Sequence, residues 1–472
     1  MSDIELPASR EEGAPSLRAG TLSMPKVLGM GASYLAPGVI LIFNPASMAL
    51  VSGKQSWLAI LLDIPAFLFL VVGVAVFAKR YVVTGSLMSY LGEAFGSKSR
   101  MFSGAPLLVA YFLSMPLTAI FVLTFAQGLL LDMHMTWANS PTAQVLVVAV
   151  VTIIAAYISY RGVNLSARFA IFCTVICAPF VLILIVAALI HTGSGFTDQF
   201  SLKGMKFSDL VAGLVMVFVG LVGFEGFTAL GRETKDPVRN TLIILPVLVG
   251  LVVVVLLVGC LTLVPVLLQH VAAVNAGQSP SSIVADASGV SWLKIPLDAT
   301  LLLATFSCLI AVLNDAARVT ATAGRDGMLP TGLGVISPKT GTPARSIIFM
   351  AVLAIGIPAV SQYVVQQSPL QASAAMGPTL VYLWLVPYLA MFVGVIAIKR
   401  REGALVSLTT LIAVLGFLFL IFLTVYSISQ LTGTIQKAAP AIALGLAALL
   451  FIVSLIRDIG GSGRSALAKA SA

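Results

Sequence analysis

The chain has 472 residues, 59% of them hydrophobic and 10% charged, with a mean hydropathy of +1.06. Soluble domains carry roughly 25% charge, so this composition excludes a large soluble protein and points to a polytopic membrane protein. The formal net charge of +9 would elsewhere raise the question of nucleic acid, but the placement of the basic residues explains it without such a partner.

Residues 1–25 are polar and charged, with Arg10, Glu11, Glu12 and Arg18, and no apolar run precedes a cleavage site. They read as a disordered cytoplasmic tail with no signal peptide. A membrane span needs ~20 mostly apolar residues. Twelve such segments follow: 26–50, 56–79, 105–131, 143–160, 166–190, 208–231, 240–267, 296–320, 345–366, 374–398, 404–428 and 438–457. They group as a first five-helix unit at 26–190, a second at 208–398, two further helices at 404–457 and a cytoplasmic tail at 458–472.

An even number of spans places both termini on one side. That side holds 22 of the 27 lysines and arginines; only Lys54, Lys203, Lys206, Lys294 and Lys437 fall on the other. The excess of Lys and Arg marks the cytoplasmic side, so both termini are predicted to be cytoplasmic in a multi-pass protein of the cell (inner) membrane. The basic balance thus reflects topology, and the expected partners are membrane lipids and a small molecule.

Two spans carry the marks of discontinuity. The first contains Gly29, Gly31, Pro37, Gly38 and Pro45; the sixth contains Gly213, Gly220, Gly223, Gly226 and Gly231. They open two units of five spans, and an odd number forces them to run in opposite directions. Paired interrupted segments in corresponding positions point to the midplane site of an inverted-repeat transporter, although the same glycines also suit close helix packing.

Three acids lie well inside spans: Asp63, Glu225 and Asp315. Each is costly there, by at least ~2.5 kcal/mol at a helix centre. Glu225 sits among glycines and aromatics beside the expected break, and is a candidate for coupling or gating through protonation; alternatively, it ties unwound backbone N–H groups together. Asp315 stands three residues before Arg318, and the spacing predicts an ion pair on one helix face. Asp63 precedes Pro65 and is read as a kink or partner contact, or as a cavity residue. Thr305 and Ser307 lie near mid-depth of the eighth span, where such hydroxyls commonly bond their own helix. Ser114 and Thr118 flank Pro116 and face either a cavity or a kink. Cys173, Cys177, Cys260 and Cys308 lack metal-type spacing and read as small core residues.

A resemblance joins these features. The run Phe218-Val-Gly-Leu-Val-Gly-Phe-Glu225-Gly-Phe, closing on Arg232 to Asn240, is similar to the sixth span of the amino acid–polyamine–organocation superfamily. Tyr160-Arg-Gly-Val-Asn-Leu-Ser-Ala-Arg168 resembles its turn between spans 4 and 5. Leu313-Asn-Asp-Ala-Ala-Arg318, with Gly324-Arg-Asp-Gly-Met-Leu-Pro330 and Gly341-Thr-Pro343, resembles its span 8 and following loop. The likeness covers nearly the whole chain. It implies an all-α membrane protein of twelve transmembrane helices, with a LeuT-like 5+5 inverted repeat and broken helices 1 and 6.

It also implies transport of amino acids or related amines by alternating access, with spans 1, 2, 6 and 7 rocking against 3, 4, 8 and 9. The implied substrate-binding residues are Ala32, Ser33, Tyr34, Ala36 and Gly38 for the carboxylate end, and Phe218, Gly220, Gly223 and Phe224 for the amine and side-chain end. Glu225, Thr305 and Ser307 are the implied coupling or gating residues. The chain departs from the family where Ala36-Pro37-Gly38-Val39-Ile40 replaces a Gly-x-Gly-Ile-Phe pattern, because Pro37 removes an N–H. It departs again where Cys177 stands at the place of a lysine in many proton-coupled members. Arg232 stands where an acid is common, and Asp315 where alanine is common.

No enzyme motif and no P-loop is present, so no cofactor is expected and a gradient of H⁺ or Na⁺, or of substrate, must drive movement. A polyamine or other organic amine is the alternative substrate. A sensor or a channel on the same scaffold is the alternative class. No oligomeric state follows from the sequence.

Overall fold

The computed structural model describes residues 20–275, 278–365, 369–431 and 433–470. Most of the expected N-terminal tail therefore lies outside the described residues. In chain order the helices are α1 (Met24–Leu35), α2 (Pro37–Val51), α3 (Ser56–Ala78), α4 (Ser86–Phe95), α5 (Ser97–Asp132), α6 (Pro141–Arg161), α7 (Val163–Thr192), α8 (Phe207–Val219), α9 (Pro237–Gln269), α10 (Val271–Asn275), α11 (Pro280–Ala287), α12 (Lys294–Arg325), α13 (Ala344–Val360), α14 (Pro369–Arg401), α15 (Leu408–Ser429) and α16 (Thr434–Ala470). Eleven segments among the described residues are long and apolar enough to cross a membrane, counting α1 and α2 as one.

The remaining predicted span, 208–231, is not one long helix. It is α8, of 13 residues, followed by non-helical turns and a 3₁₀ stretch at Gly226–Glu233. The chain also forms helices that the hydropathy reading did not contain. α4 lies buried against α5, and α10 and α11 occupy the connection between the seventh and eighth predicted spans. The last helix runs on to Ala470, past the predicted boundary at 457.

The breaks have local causes. Pro37 offers no N–H to continue α1, and the α region is disfavoured for the residue before a proline. Ala36 accordingly turns left-handed, at φ 45°, and its own N–H closes on the carbonyls of Ala32 (2.9 Å) and Ser33 (3.2 Å). Pro37 then opens α2. The same device recurs where Asp236, at φ 46°, precedes Pro237 and α9. In the sixth segment Gly223 takes φ 82°, a conformation that suits glycine alone.

The helix ends sort into two sets by contact. Arg80 and Lys399 both pair with Glu402, joining α3 to α14. Arg100 pairs with Glu93 and Asp326, joining α5 to α4 and the end of α12. Leu22 exchanges backbone bonds with Glu233 and Lys235, tying the chain before α1 to the end of the 3₁₀ stretch. At the opposite ends, Lys294 pairs with Asp132 and Asp286, and Trp57 Nε1 donates to the Gln199 carbonyl at 3.0 Å. The first set collects the arginine-rich ends, the second the arginine-poor ends, as the span order requires.

Candidate functional site

The two breaks meet. A cavity of about 80 Å³ is lined by Tyr34, Leu35 and Ala36 at the α1–α2 break, by Val219, Gly220 and Val222 at the end of α8, and by Thr305, Cys308 and Val312 of α12. Ser114 and Thr118 of α5 also line it, although each hydroxyl donates to its own helix, to the carbonyls of Tyr111 and Ser114. Among the described residues, the cavity wall contains no charged side chain.

Backbone groups supply the polarity instead. The carbonyls of Val219, Gly220 and Val222 accept no backbone hydrogen bond among the described residues, because Gly223 N–H turns away to Tyr388 Oη (3.3 Å) and Phe224 N–H to Leu221 (3.0 Å). With Pro37 lacking a donor and Ala36 N–H engaged, the first unengaged donor of α2 is Gly38 N–H. A helix N-terminus favours an anion and a helix C-terminus a cation. The site thus opposes the start of α2 to the end of α8.

Of the implied substrate residues, Tyr34, Ala36 and Gly220 line the cavity. The others are close behind it. A Cβ on Gly38 would lie 2.9 Å from Cys177 Sγ, so this face of the break packs on α7. Phe218 is buried against Phe67, with ring centroids 4.9 Å apart, and Phe224 packs near Tyr388. Ala32 serves through its carbonyl, and Ser33 is buried. Gly223 lies under Tyr34: a Cβ there would stand 2.2 Å from the Tyr34 hydroxyl. The Gly223→Ala variant is therefore expected to lose uptake about 5- to 30-fold, since the left-handed conformation alone costs about 1–2 kcal/mol. Removing the ring as well, in Tyr34→Ala with Gly223→Ala, relieves the clash but not the strain. Uptake per reconstituted molecule measures both; an undiminished rate in Gly223→Ala refutes the constraint.

Glu225 is buried outside the cavity wall. Its two carboxylate oxygens accept from Trp384 Nε1 (2.9 Å) and Tyr388 Oη (2.7 Å) of α14. The acid therefore ties the unwound segment to side chains of the tenth span, where the sequence reading had offered backbone N–H groups of spans 1 or 6. Trp384 and Tyr388 were missed. Their one signal is a spacing of four, which puts two polar-edged aromatics on one helix face.

The predicted Asp315–Arg318 ion pair does not form. Arg318 turns across to Glu233, with Nε and Nη2 at 2.6 and 3.1 Å from its oxygens, and its Nη1 donates to Asn314. Both partners are buried. A guanidinium fork meets a carboxylate edge on, whereas a neighbour three residues away on the same helix offers poorer alignment. Asp315 Oδ1 is left without a hydrogen-bond partner, beside Gly226 and the equally unpartnered Tyr111 hydroxyl. Asp63 forms no kink bond: both its oxygens are buried without a hydrogen-bond partner among the described residues.

Thr305 and Ser307 do not converge. Thr305 lines the cavity but donates to Leu301 and Leu302 of its own helix, whereas Ser307 is buried without a partner. Cys308, read as a core residue, reaches the cavity, and its thiol donates to the Tyr34 carbonyl at 3.0 Å.

A second cavity of about 300 Å³ shares Phe43, Asn44, Phe121 and Val219 with the first and extends past Val51, Ser208, Gln430 and Gln436, at arginine-poor helix ends. Toward the arginine-rich ends, Phe227, Thr228, Asp315 and the Arg318–Glu233 pair are all buried. A chain with two meeting helix breaks, a cavity between them and a vestibule toward the arginine-poor ends is built as a membrane permease. A family model described as amino acid permease matches residues 22–451, and the chain belongs to that family.

Its relatives agree. The branched-chain amino acid permease BcaP of Lactococcus lactis subsp. cremoris (strain MG1363) is 23% identical over 390 residues, covering 79% of this chain and 77% of its own. BcaP of Bacillus subtilis (strain 168) is 23% identical over 330 residues, 67% and 69% of the two chains. Cationic amino acid transporter 4, vacuolar, of Arabidopsis thaliana is 31% identical over 150 residues, 31% and 24%. The protein is a multi-pass membrane protein of amino acid transport.

Proposed function

We propose that the substrate is a neutral amino acid with an aliphatic side chain. The observation that carries this reading is the uncharged cavity wall with three unengaged carbonyls. Its ammonium group would meet the carbonyls of Val219, Gly220 and Val222; its carboxylate would meet the start of α2 at Gly38. The side chain would lie against Val39, Ile40, Phe121 and Val312. A polyamine would ask for carboxylates or an aromatic cage, and a cationic side chain for an acid in the wall. Two relatives named as branched-chain amino acid permeases point the same way.

Movement is secondary active and proceeds by alternating access. The units 26–190 and 208–398 form the inverted repeat, with both termini in the cytoplasm of a cell-membrane protein. The arginine-poor vestibule is then the external entrance, and the Arg318–Glu233 pair closes the cytoplasmic side. Coupling to H⁺ through Glu225 is favoured over Na⁺, because Thr305 lines the cavity without Ser307, the second hydroxyl such a site would use.

Proteoliposome uptake of leucine, valine, lysine and putrescine, with and without Na⁺ and a pH gradient, tests the reading. Leucine and valine are expected to enter and to exchange in counterflow, which a sensor or a channel does not produce. Uptake of putrescine alone, or of lysine alone, overturns it.

A further inference from the structure

A third cavity, of about 630 Å³, lies away from the transport path, between α4, the first turns of α5, and one face each of α14, α15 and α16. Its wall is apolar except at one end, where Lys98 and Ser99 stand. Along α14 it runs from Val386 to Ala397, about 16 Å at 1.5 Å per residue. That length matches one leaflet of a hydrocarbon core ~30 Å thick. The groove then stops where α14 turns basic, at Lys399, Arg400 and Arg401. Phe102, which lines it, is half exposed, so the groove opens sideways, where the surrounding bilayer would lie.

The charges at this end are unbalanced. Glu93 is engaged by Arg100, Glu402 by Arg80 and Lys399, and Asp458 by the Ser97 hydroxyl. Lys98 is exposed and has no ion pair or hydrogen bond among the described residues. Among the described residues Arg401 meets no carboxylate: it donates to the Ala94 carbonyl at 3.3 Å and stacks 5.0 Å from the ring of Phe95, itself a groove residue.

We infer that this groove is a binding site for an anionic phospholipid. One acyl chain lies along α14 and the phosphate sits between Lys98 and Arg401. A leaflet-long apolar slot that ends on two cations without carboxylate partners is complementary to such a lipid in both length and charge.

The test is lipid retention measured by native mass spectrometry, after release from nanodiscs containing equal phosphatidylglycerol and phosphatidylcholine. The full chain is expected to retain one phosphatidylglycerol in preference to phosphatidylcholine. Lys98→Glu, an exposed change, is expected to lower that retention about fivefold or more, since each surface cation attracts anionic lipid by about one factor of that size. Ala390→Phe, which fills the slot, is expected to remove the retained lipid of either class. Lys54→Glu at the opposite ends is expected to change nothing. Equal phosphatidylglycerol retention in Lys98→Glu and the unaltered chain overturns the proposal. So does a lipid-free dimer that Ala390→Phe disrupts, because a second copy would then cover the groove.

Discussion

Replacing Arg318 with methionine is expected to destabilise the protein by about 3–5 kcal/mol, the usual result of stranding one member of a buried ion pair. Glu233, on the 3₁₀ stretch after the sixth-span break, is buried with Arg318 of α12 as its sole charged partner within 4 Å among the described residues. With the guanidinium gone, its carboxylate has no compensating charge, and Asn314 loses the contact that links it to Arg318. Glu233→Leu is expected to be comparably damaging, because it strands the guanidinium. The double variant Arg318→Met with Glu233→Leu is expected to recover most of the loss, since two apolar groups of similar volume often match or exceed a buried pair. Thermal unfolding in detergent completes the double-mutant cycle. Damage that simply adds would show that the two side chains act separately.

The same double variant separates stability from gating. The pair bridges the sixth segment and α12, and it is buried toward the arginine-rich ends. Without it, the state closed on that side loses a charge-assisted latch. Cys308, which lines the cavity between the two breaks, is then expected to react faster with a membrane-impermeant maleimide from the arginine-rich side. Labelling unchanged from that side would remove the gate and leave a purely structural pair.

How much of this was legible in the sequence differs by feature. The breaks could be read from residues because their causes are local. Ala36-Pro37 interrupts a helix whatever surrounds it, and a run such as Gly220-Leu-Val-Gly-Phe-Glu-Gly cannot hold one. The cost of charge in a bilayer is also a local fact, so Glu225 and the arginine asymmetry stood out. What the sequence did not yield were partners distant along the chain. Arg318 had two candidate acids: Asp315 is close in sequence, but Glu233 is better aligned in space. Spacing along one helix favours the first, and only the packing of the sixth segment on α12 brings in the second. Cys308 is buried as a core residue, as read, but its contact was hidden for the same reason. As a residue type it belongs in cores, and its role depends on the Tyr34 carbonyl that the break in another span leaves within reach.

Glu225 is the residue on which tie and switch can be told apart. Its carboxylate has two donors, Trp384 Nε1–H and Tyr388 Oη–H, and Tyr388 also receives Gly223 N–H. Glu225→Ala leaves both donors buried and unsatisfied, at about 1–3 kcal/mol each, and frees the turn at Gly223. Uptake is expected to be lost. Glu225→Gln is different. Its amide oxygen still faces Trp384, and its NH₂ can donate to the Tyr388 oxygen, so the tie to α14 persists while the side chain can no longer gain or lose a proton. If Glu225 carries the coupled proton, Glu225→Gln is expected to fold, to exchange amino acid in counterflow, and to lose the acceleration of uptake by a pH gradient. If the residue only holds the break against α14, Glu225→Gln retains the full pH response, and Trp384→Phe, which removes one donor, reproduces part of the Glu225→Ala loss. Counterflow needs both orientations of the carrier but no net proton movement. A variant that exchanges and is blind to pH therefore assigns the proton to Glu225, and an unaltered pH profile assigns the residue to the tie.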